Sequence, residues 1–339
     1  MLYRLGGGWP KSAAQWEEAL AREPFAECGA TQPKSGGWIA PRGQEHGALV
    51  EAIDGQWIAR YAIETKAVPA QALRRRVDEM ARHIEQTRGR KPGKKELRDL
   101  REDALLALLP QAFARRGEMA LWLEPQRRWL ALDASSQGKA DEVITSLARV
   151  AGPGFAIDLL QTQQTPQALM TAWLLAEKPG ELPGDETGAF HVERDCELKA
   201  SGEEPAIVRF TRHELATPEV RRHVREGKRP VRLALSWQGR VGFTLTESLQ
   251  LKKIHFDEGV FGEKGTPEED RFDADTAIAT GELAGLLVDL IAALGGQSHD
   301  HGAASGEAAP AGHAPAKTAP KKEAGKETKN AHTPDDPPF

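Results

Sequence analysis

The sequence is poor in several features that define common protein classes. Among 339 residues there are two cysteines, Cys28 and Cys196, and neither sits in a CxxC or Cys/His pattern. That excludes a disulfide scaffold and a thiolate zinc site, and a reducing, cytoplasmic setting is the simplest expectation. No uninterrupted apolar run of about 18 residues occurs, so no membrane span is expected. The first residues, MLYRLGGGWPKSAAQWEEAL, lack the roughly 7–15-residue apolar core of a secretory signal. P-loop, GxSxG, HExxH and EF-hand patterns are all missing, which removes the commonest nucleotide, acyl-transfer and metal-dependent chemistries.

Two weaker chemical candidates remain. Glu268, Glu269, Asp270, Asp273 and Asp275, with Glu282 beyond, carry the oxygen ligands that Mg²⁺ prefers, and a metal-dependent nuclease acting through 268–282 is the alternative they raise. A solvated acidic loop is the simpler reading. His299 and His301 flank Asp300, but two imidazoles in a floppy tail make a poor metal site. From Gln297 onward Ala, Pro, Gly, Lys and Glu dominate, and the one large apolar side chain is Phe339. Such a segment buries too little apolar surface to offset its ordering entropy, so 297–339 reads as a disordered tail. Residues 1–296 then form the folded region, long enough for two or three lobes.

What the chain does have is segregated charge. Its formal balance is −5. Yet residues 74–101 hold eleven basic and five acidic side chains, a local balance of 11 − 5 = +6. A second basic segment, 207–232, holds eight basic and three acidic residues, or 8 − 3 = +5. A net-acidic protein that binds a polyanion must separate its charges in this way. The competing reading of the first segment is a solvated helix laced with i,i+4 pairs such as Asp78–Arg82 and Glu79–His83.

Patterning predicts the elements. KSAAQWEEALAR (11–22) is an amphipathic helix capped by Ser12, and a loop-rich stretch follows around Trp38-Ile39-Ala40. QWIARYAI (56–63) is a strand, and two basic helices after Pro69 are broken at GRKPG (89–93). EMALWLEPQRRWLALD (118–133) is a hairpin. Helices are expected over 141–150 and 165–176, the second with Thr165 as cap and Pro166 at its first position. Residues 178–204 are polar, Gly/Pro-punctuated and acidic, and no element is assigned there. TPEVRRHVREGK is a helix between Thr217 and Gly227, and a meander runs through 231–237, 241–246 and 249–256. Asp257–Asp275 is acidic, and GELAGLLVDLIAAL (281–294) is apolar nearly all round, an element buried in the core or in a subunit contact. The fold class is α+β, with antiparallel hairpins and meanders, long helices and no βαβ alternation.

LLALLPQAFAR (105–115), RLALSWQGRVGFTL (232–245) and RFDADTAIATGELAGLLVDLIAALGG (271–296) resemble the recombination-associated RdgC family, as does the N-terminal order YRL, ECGA, GGWIAP. The resemblance runs from the first residues to about Gly296. It implies a non-enzymatic, cofactor-free, nucleoid-associated protein: a ring-shaped homodimer that encircles double-stranded DNA without sequence preference and restrains the RecA recombinase. It implies that Phe113 lies at a subunit contact that gates the ring. Sequence pattern alone equally allows Phe113 a place in its own core. The resemblance places DNA contacts at Arg212 and Lys228, with His213 where a Gln is usual, and Arg229 adjoins them. Two residues before Phe113 the family pattern has Arg and this chain has Gln111; Arg115 and Arg116 are the nearby charges that could replace it.

Overall fold

The computed structural model describes residues 1–298 except 179, 203–204 and 262–267; the tail and its His299/His301 pair lie outside the described residues. Twelve strands and seven α-helices alternate irregularly along the described residues, and every ladder between strands is antiparallel.

The first sheet has seven strands. Its elements are β1 (Leu2–Leu5), β2 (Lys34–Ile39), β3 (Val50–Ile53), β4 (Gln56–Lys66), β5 (Ala114–Glu124), β6 (Trp129–Leu132) and β7 (Ile157–Leu159). They lie in the order β2-β4-β5-β6-β1-β7, with β3 beside the first residues of β4. The longest ladder joins β4 to β5, from Trp57↔Leu123 to Lys66↔Ala114. Alternation along β5 puts Met119, Leu121 and Leu123 on one buried face. On that face pack α1 (Ala13–Leu20) through Trp16 and Leu20, and α4 (Gln137–Ala151) through Val143, Leu147 and Val150. Ser12 caps α1 as expected, its hydroxyl accepting from the Gln15 amide. The indole of Trp38 donates to Ser146 at 3.0 Å, and Ser146 donates to Glu23 at 2.9 Å.

The second sheet has the order β12-β11-β10-β8-β9. These are β8 (Phe190–Lys199), β9 (Ile207–Phe210), β10 (Arg229–Trp237), β11 (Val241–Thr246) and β12 (Leu251–Phe256). Helices α5 (Pro166–Leu175), α6 (Pro218–Arg225) and α7 (Glu268–Ala293) supply its core partners, among them Met170, Val220 and Leu290. Leu2 and Trp129 of the first sheet join this second core. Thr165 and Thr217 cap α5 and α6, each with Pro at the first helical turn. Residues 271–293 of α7 have the length and composition of a membrane-crossing helix. Leu286, Leu290 and Leu294 are fully buried, so here that apolar character serves the core.

Three expectations need correction. The stretch around Trp38 is a strand, because Gly36 and Gly37 let it run close to its neighbours. A Cβ on Gly37 would sit 2.5 Å from Phe25 backbone atoms, and one on Gly36 would meet the Tyr61 hydroxyl at 2.6 Å. Residues 190–199, where no element was expected, are β8, paired on both sides. The acids from Glu268 to Asp275 begin α7 instead of lying in a loop. There Asp273 pairs with Arg42, which also binds Glu51 at 3.0 Å and stacks its guanidinium 4.8 Å from the Phe272 ring centroid. This contact ties the β2–β3 connection of the first lobe to the start of α7.

Between β4 and β5 the chain leaves the sheet. Helices α2 (Ala70–Arg88) and α3 (Lys94–Leu108) form an antiparallel arm whose residues join neither core. Gly89, at φ 67°, ends α2 in the left-handed conformation that glycine adopts without penalty. Leu100 and Ala104 are the buried residues of α3, while α2 buries none fully.

The two sheet glycines predict opposite outcomes. Gly37→Ala should destabilise the protein by about 1–3 kcal/mol, since backbone blocks the new methyl. Gly117, on β5 with nothing within 4 Å of the place a methyl would take, should tolerate Ala or gain a few tenths of a kcal/mol. Denaturant midpoints of both variants against wild type check this.

Candidate nucleic-acid interface

Two concentrations of cations stand out. The first is the arm. Arg75 and Arg76 share Glu79, Arg88 and Arg90 share Glu96, and Arg98 pairs with Glu102. The hydrogen bond from Arg90 holds the Glu96 carboxyl below its ordinary range. Arg74, Arg82, Lys91, Lys94, Lys95 and Arg101 form no ion pair among the described residues. Neither the Asp78–Arg82 nor the Glu79–His83 pair is made among the described residues; Glu79 turns back to Arg75 and Arg76 instead. The arm is therefore only partly neutralised by its own acids.

The second concentration surrounds α6. Its basic residues divide by role. Arg209 and Arg232 converge on Glu197 of β8 at 2.9 and 3.5 Å. Arg221 donates to the carbonyls of Ala176 and Glu177 past the end of α5, which makes it structural. Arg222 lies 3.9 Å from Glu226. Arg212, Arg225 and Arg229 have no acidic partner among the described residues.

Arg212, His213, Lys228 and Arg229 lie in this region, at the junctions that lead into and out of α6. Arg212 adopts φ 54°, and its amide donates to Asp195 at 2.8 Å. The His213 ring rests 5.4 Å from the Phe210 centroid, and on Phe210 also leans His223 at 6.0 Å. Lys228 Nζ lies 3.0 Å from His223 Nδ1 and 3.2 Å from Glu226. The Lys228 side chain is only 17% exposed, folded against its own helix end. That hydrogen bond depresses the Glu226 carboxyl pKa. Arg229 opens β10 and is exposed.

Phe113 is 90% exposed. The own-core alternative for it is thereby excluded in the single chain. The physical reason is local: Pro110 enters a 3-10 turn, Leu109–Gln111, that ends α3, and β5 begins at Ala114, leaving Phe113 on the corner. Leu106 on α3 is 48% exposed, a second large apolar side chain facing solvent on the arm. Arg115 and Arg116 belong to β5 and alternate across the sheet. Arg116 pairs with Glu118 at 3.3 Å and stacks on Phe25 at 4.6 Å. Arg115 makes no ion pair among the described residues, so it is the better replacement for the charge absent at Gln111. No contact among the described residues joins this corner to the Phe210 cluster.

The acidic candidates are spent differently. Asp273 is held by Arg42, and Glu282 takes a bidentate contact from Arg240. About nine residues at 1.5 Å rise place them roughly 13 Å apart along α7. Among the described residues no group of three His, Cys, Asp or Glu side chains is placed to hold a metal ion. Cys196, buried beside Glu197, has its thiol pushed up to about 12, which makes it inert.

Glu197 and Arg221 decide how much of the second basic segment is free, and sequence reasoning missed both roles. A signal for Glu197 was present: Phe190, Val192, Cys196 and Leu198 repeat with period two, broken only by Arg194, which marks β8 as a strand.

Comparison with known proteins now bears on this geometry. Residues 1–297 match the family described as "Putative exonuclease, RdgC". A recombination-associated protein RdgC of Dechloromonas aromatica is 40% identical over 302 residues, covering 87% of this chain and 96% of that protein. The protein of the same name from Herminiimonas arsenicoxydans is 38% identical over 299 residues, with 87% and 96% covered. The chain belongs to the RdgC family. A third RdgC, from Bordetella parapertussis, is 36% identical over 302 residues, 87% of this chain and 97% of that one. The recombination association read from the three motif stretches is thus the family's own.

Exposure predicts how Phe113→Ala behaves in the free protein. Loss of a buried Phe costs about 3–5 kcal/mol, whereas a solvated corner contributes almost nothing within one chain. If the protein is held under conditions where it is monomeric, the variant's melting temperature should stay within about a degree of wild type by calorimetry.

Proposed function

We propose that this RdgC-family chain binds double-stranded DNA without sequence preference, as a ring-shaped homodimer, and that by occupying DNA it restrains RecA-dependent recombination in the nucleoid. The observation that carries the reading is the separation of charge: a net-acidic protein sets six unneutralised cations on one projecting arm and a further group around α6. Phosphates are the partners such cations suit, and phosphate contacts give affinity without base information. The second support is Phe113. A fully exposed aromatic on a rigid corner is a poor surface residue and a good interface anchor. A contact between Phe113 and a second copy closes the ring at one of its two subunit joints, and two-fold symmetry then doubles the basic surface around one opening.

The description of the family as an exonuclease suggests a second reading, cleavage through the acids of 268–282. Ion pairing of Asp273 and Glu282 weighs against it, and a direct assay decides. Nicking of supercoiled plasmid, or shortening of a linear duplex from its ends, with Mg²⁺ that vanishes in Asp273→Asn would establish the nuclease.

The binding reading makes quantitative expectations. If about six phosphates are neutralised, log K falls against log salt with a slope of roughly −5, equally for duplexes of unrelated sequence. A shallow slope, or strong preference for one duplex, sinks the proposal. Lys228→Glu should weaken all duplexes alike and reduce that slope by about 1 to 2.

For the gate, Phe113→Ala should bind short linear duplexes as wild type does. It should slip from closed circular DNA in a salt challenge that wild type survives. Retention on circles equal to wild type removes the gate.

A further inference from the structure

We propose that His223 and Glu226 are positioning residues that hold Lys228 away from the binding surface, and that protonation of His223 releases it, so that acid tightens DNA binding. The inference rests on the DNA reading above and deepens it. Its basis is a three-membered contact: Lys228 Nζ lies 3.0 Å from His223 Nδ1 and 3.2 Å from Glu226 Oε2, and His223 Nδ1 lies 3.6 Å from that same carboxylate.

The contact has one consistent proton assignment. An ammonium only donates, so Nδ1 at 3.0 Å must accept, which fixes neutral His223 with its proton on Nε2. Lys228 then satisfies two of its three donors inside the protein, which is why so long a side chain is only 17% exposed. A proton on Nδ1 removes the acceptor and sets a second cation beside the ammonium. The imidazolium competes with Lys228 for Glu226, the nearest acid, and the balance of the three side chains rises from 0 to +1.

Among the described residues no acid other than Glu226 pairs with the imidazole. Arg222 of the same helix is drawn to Glu226 at 3.9 Å. Phe210 of β9 covers one side of the ring, with His213 beyond it, whose own Nδ1 is engaged with the Glu214 carbonyl at 2.6 Å. From α5 the contact to α6 is Arg221 on the Ala176 and Glu177 carbonyls. Arg229 follows on β10, exposed. A phosphate that meets the freed Lys228 favours the protonated state in turn, since linkage is reciprocal.

The test compares wild type, His223→Gln and His46→Gln, a histidine on an exposed turn far from α6 in sequence. Affinity for a random-sequence duplex at constant ionic strength is measured from pH 6 to pH 8. Wild type and His46→Gln should bind at least about fivefold more tightly at pH 6 than at pH 8. His223→Gln, whose amide oxygen can still accept from Lys228 but cannot protonate, should lose most of that difference. A DNA-free readout stands beside it: the Lys228 ammonium signal in ¹H–¹⁵N spectra of lysine-labelled protein. It should move and broaden between pH 8 and pH 6 in wild type and stay put in His223→Gln. A His223→Gln variant with the full pH response, or an ammonium signal indifferent to pH in wild type, overturns the proposal. If wild type holds no duplex at any pH, the DNA reading falls, and the ammonium signal alone still decides the tether.

Discussion

The ladder between β4 and β5 is the interaction on which the rest depends. Its ten register pairs run from Trp57↔Leu123 to Lys66↔Ala114 without a slip. Because side chains alternate strictly along a strand, that register fixes which residues face α1 and α4 and which face the second lobe. It also brings the two roots of the arm together. Lys66 and Ala114 are cross-strand partners, so the whole arm is the connection of an antiparallel hairpin. Closing a connection of this length costs little more than closing a short one, because loop entropy grows only logarithmically. The sheet supplies the rigidity, and the arm needs only its own helix–helix seam.

Placing the charge on such an insertion has an electrostatic reason. Cations crowded over a compact core would repel one another and raise the energy of the folded state. On the arm they face solvent, and Glu79, Glu96 and Glu102 each neutralise neighbours by local i,i+3, i,i+4 or turn contacts. The cluster around α6 follows another rule. There the cations are tied to the fold by Glu197, by Glu226 and by the carbonyls past the end of α5, so fewer are available than a count suggests.

Much of this was legible in the sequence, and the failures have physical causes. The caps at Ser12, Thr165 and Thr217 and the break at GRKPG are local signals, decided within a few residues, and they place α1, α5, α6 and the arm. The meander after Arg229 announced itself by β-branched and aromatic residues. β2 escaped because its glycines are normally loop signals, and here they serve close packing against Phe25 and Tyr61. β8 escaped because Arg194 interrupts its alternation and its outward residues are all polar. At the site, the corner at Phe113 follows from Pro110, a local effect, but the pattern left an inward ring equally open, and only the structure shows it exposed. The resemblance to RdgC pointed to Lys228, but its low exposure depends on His223 and Glu226 meeting it at the end of α6, and geometry of that kind leaves no pattern in spacing. Individual ion pairs were misjudged for the same reason: Glu79 had three cations within helical reach, and the sequence ranks none of them.

The contact of Arg42 with Glu51, Asp273 and Phe272 has a mechanical consequence. It is a joint between the lobe built on the first sheet and the helix that fills the second core, and it is held largely by charge, with Arg42 and Glu51 less than a quarter exposed and Asp273 half exposed. Salt screens partly buried pairs less than exposed ones. The joint therefore outlasts pairs such as Arg98–Glu102 of the arm as ionic strength rises, and the arm loosens before the lobes come apart.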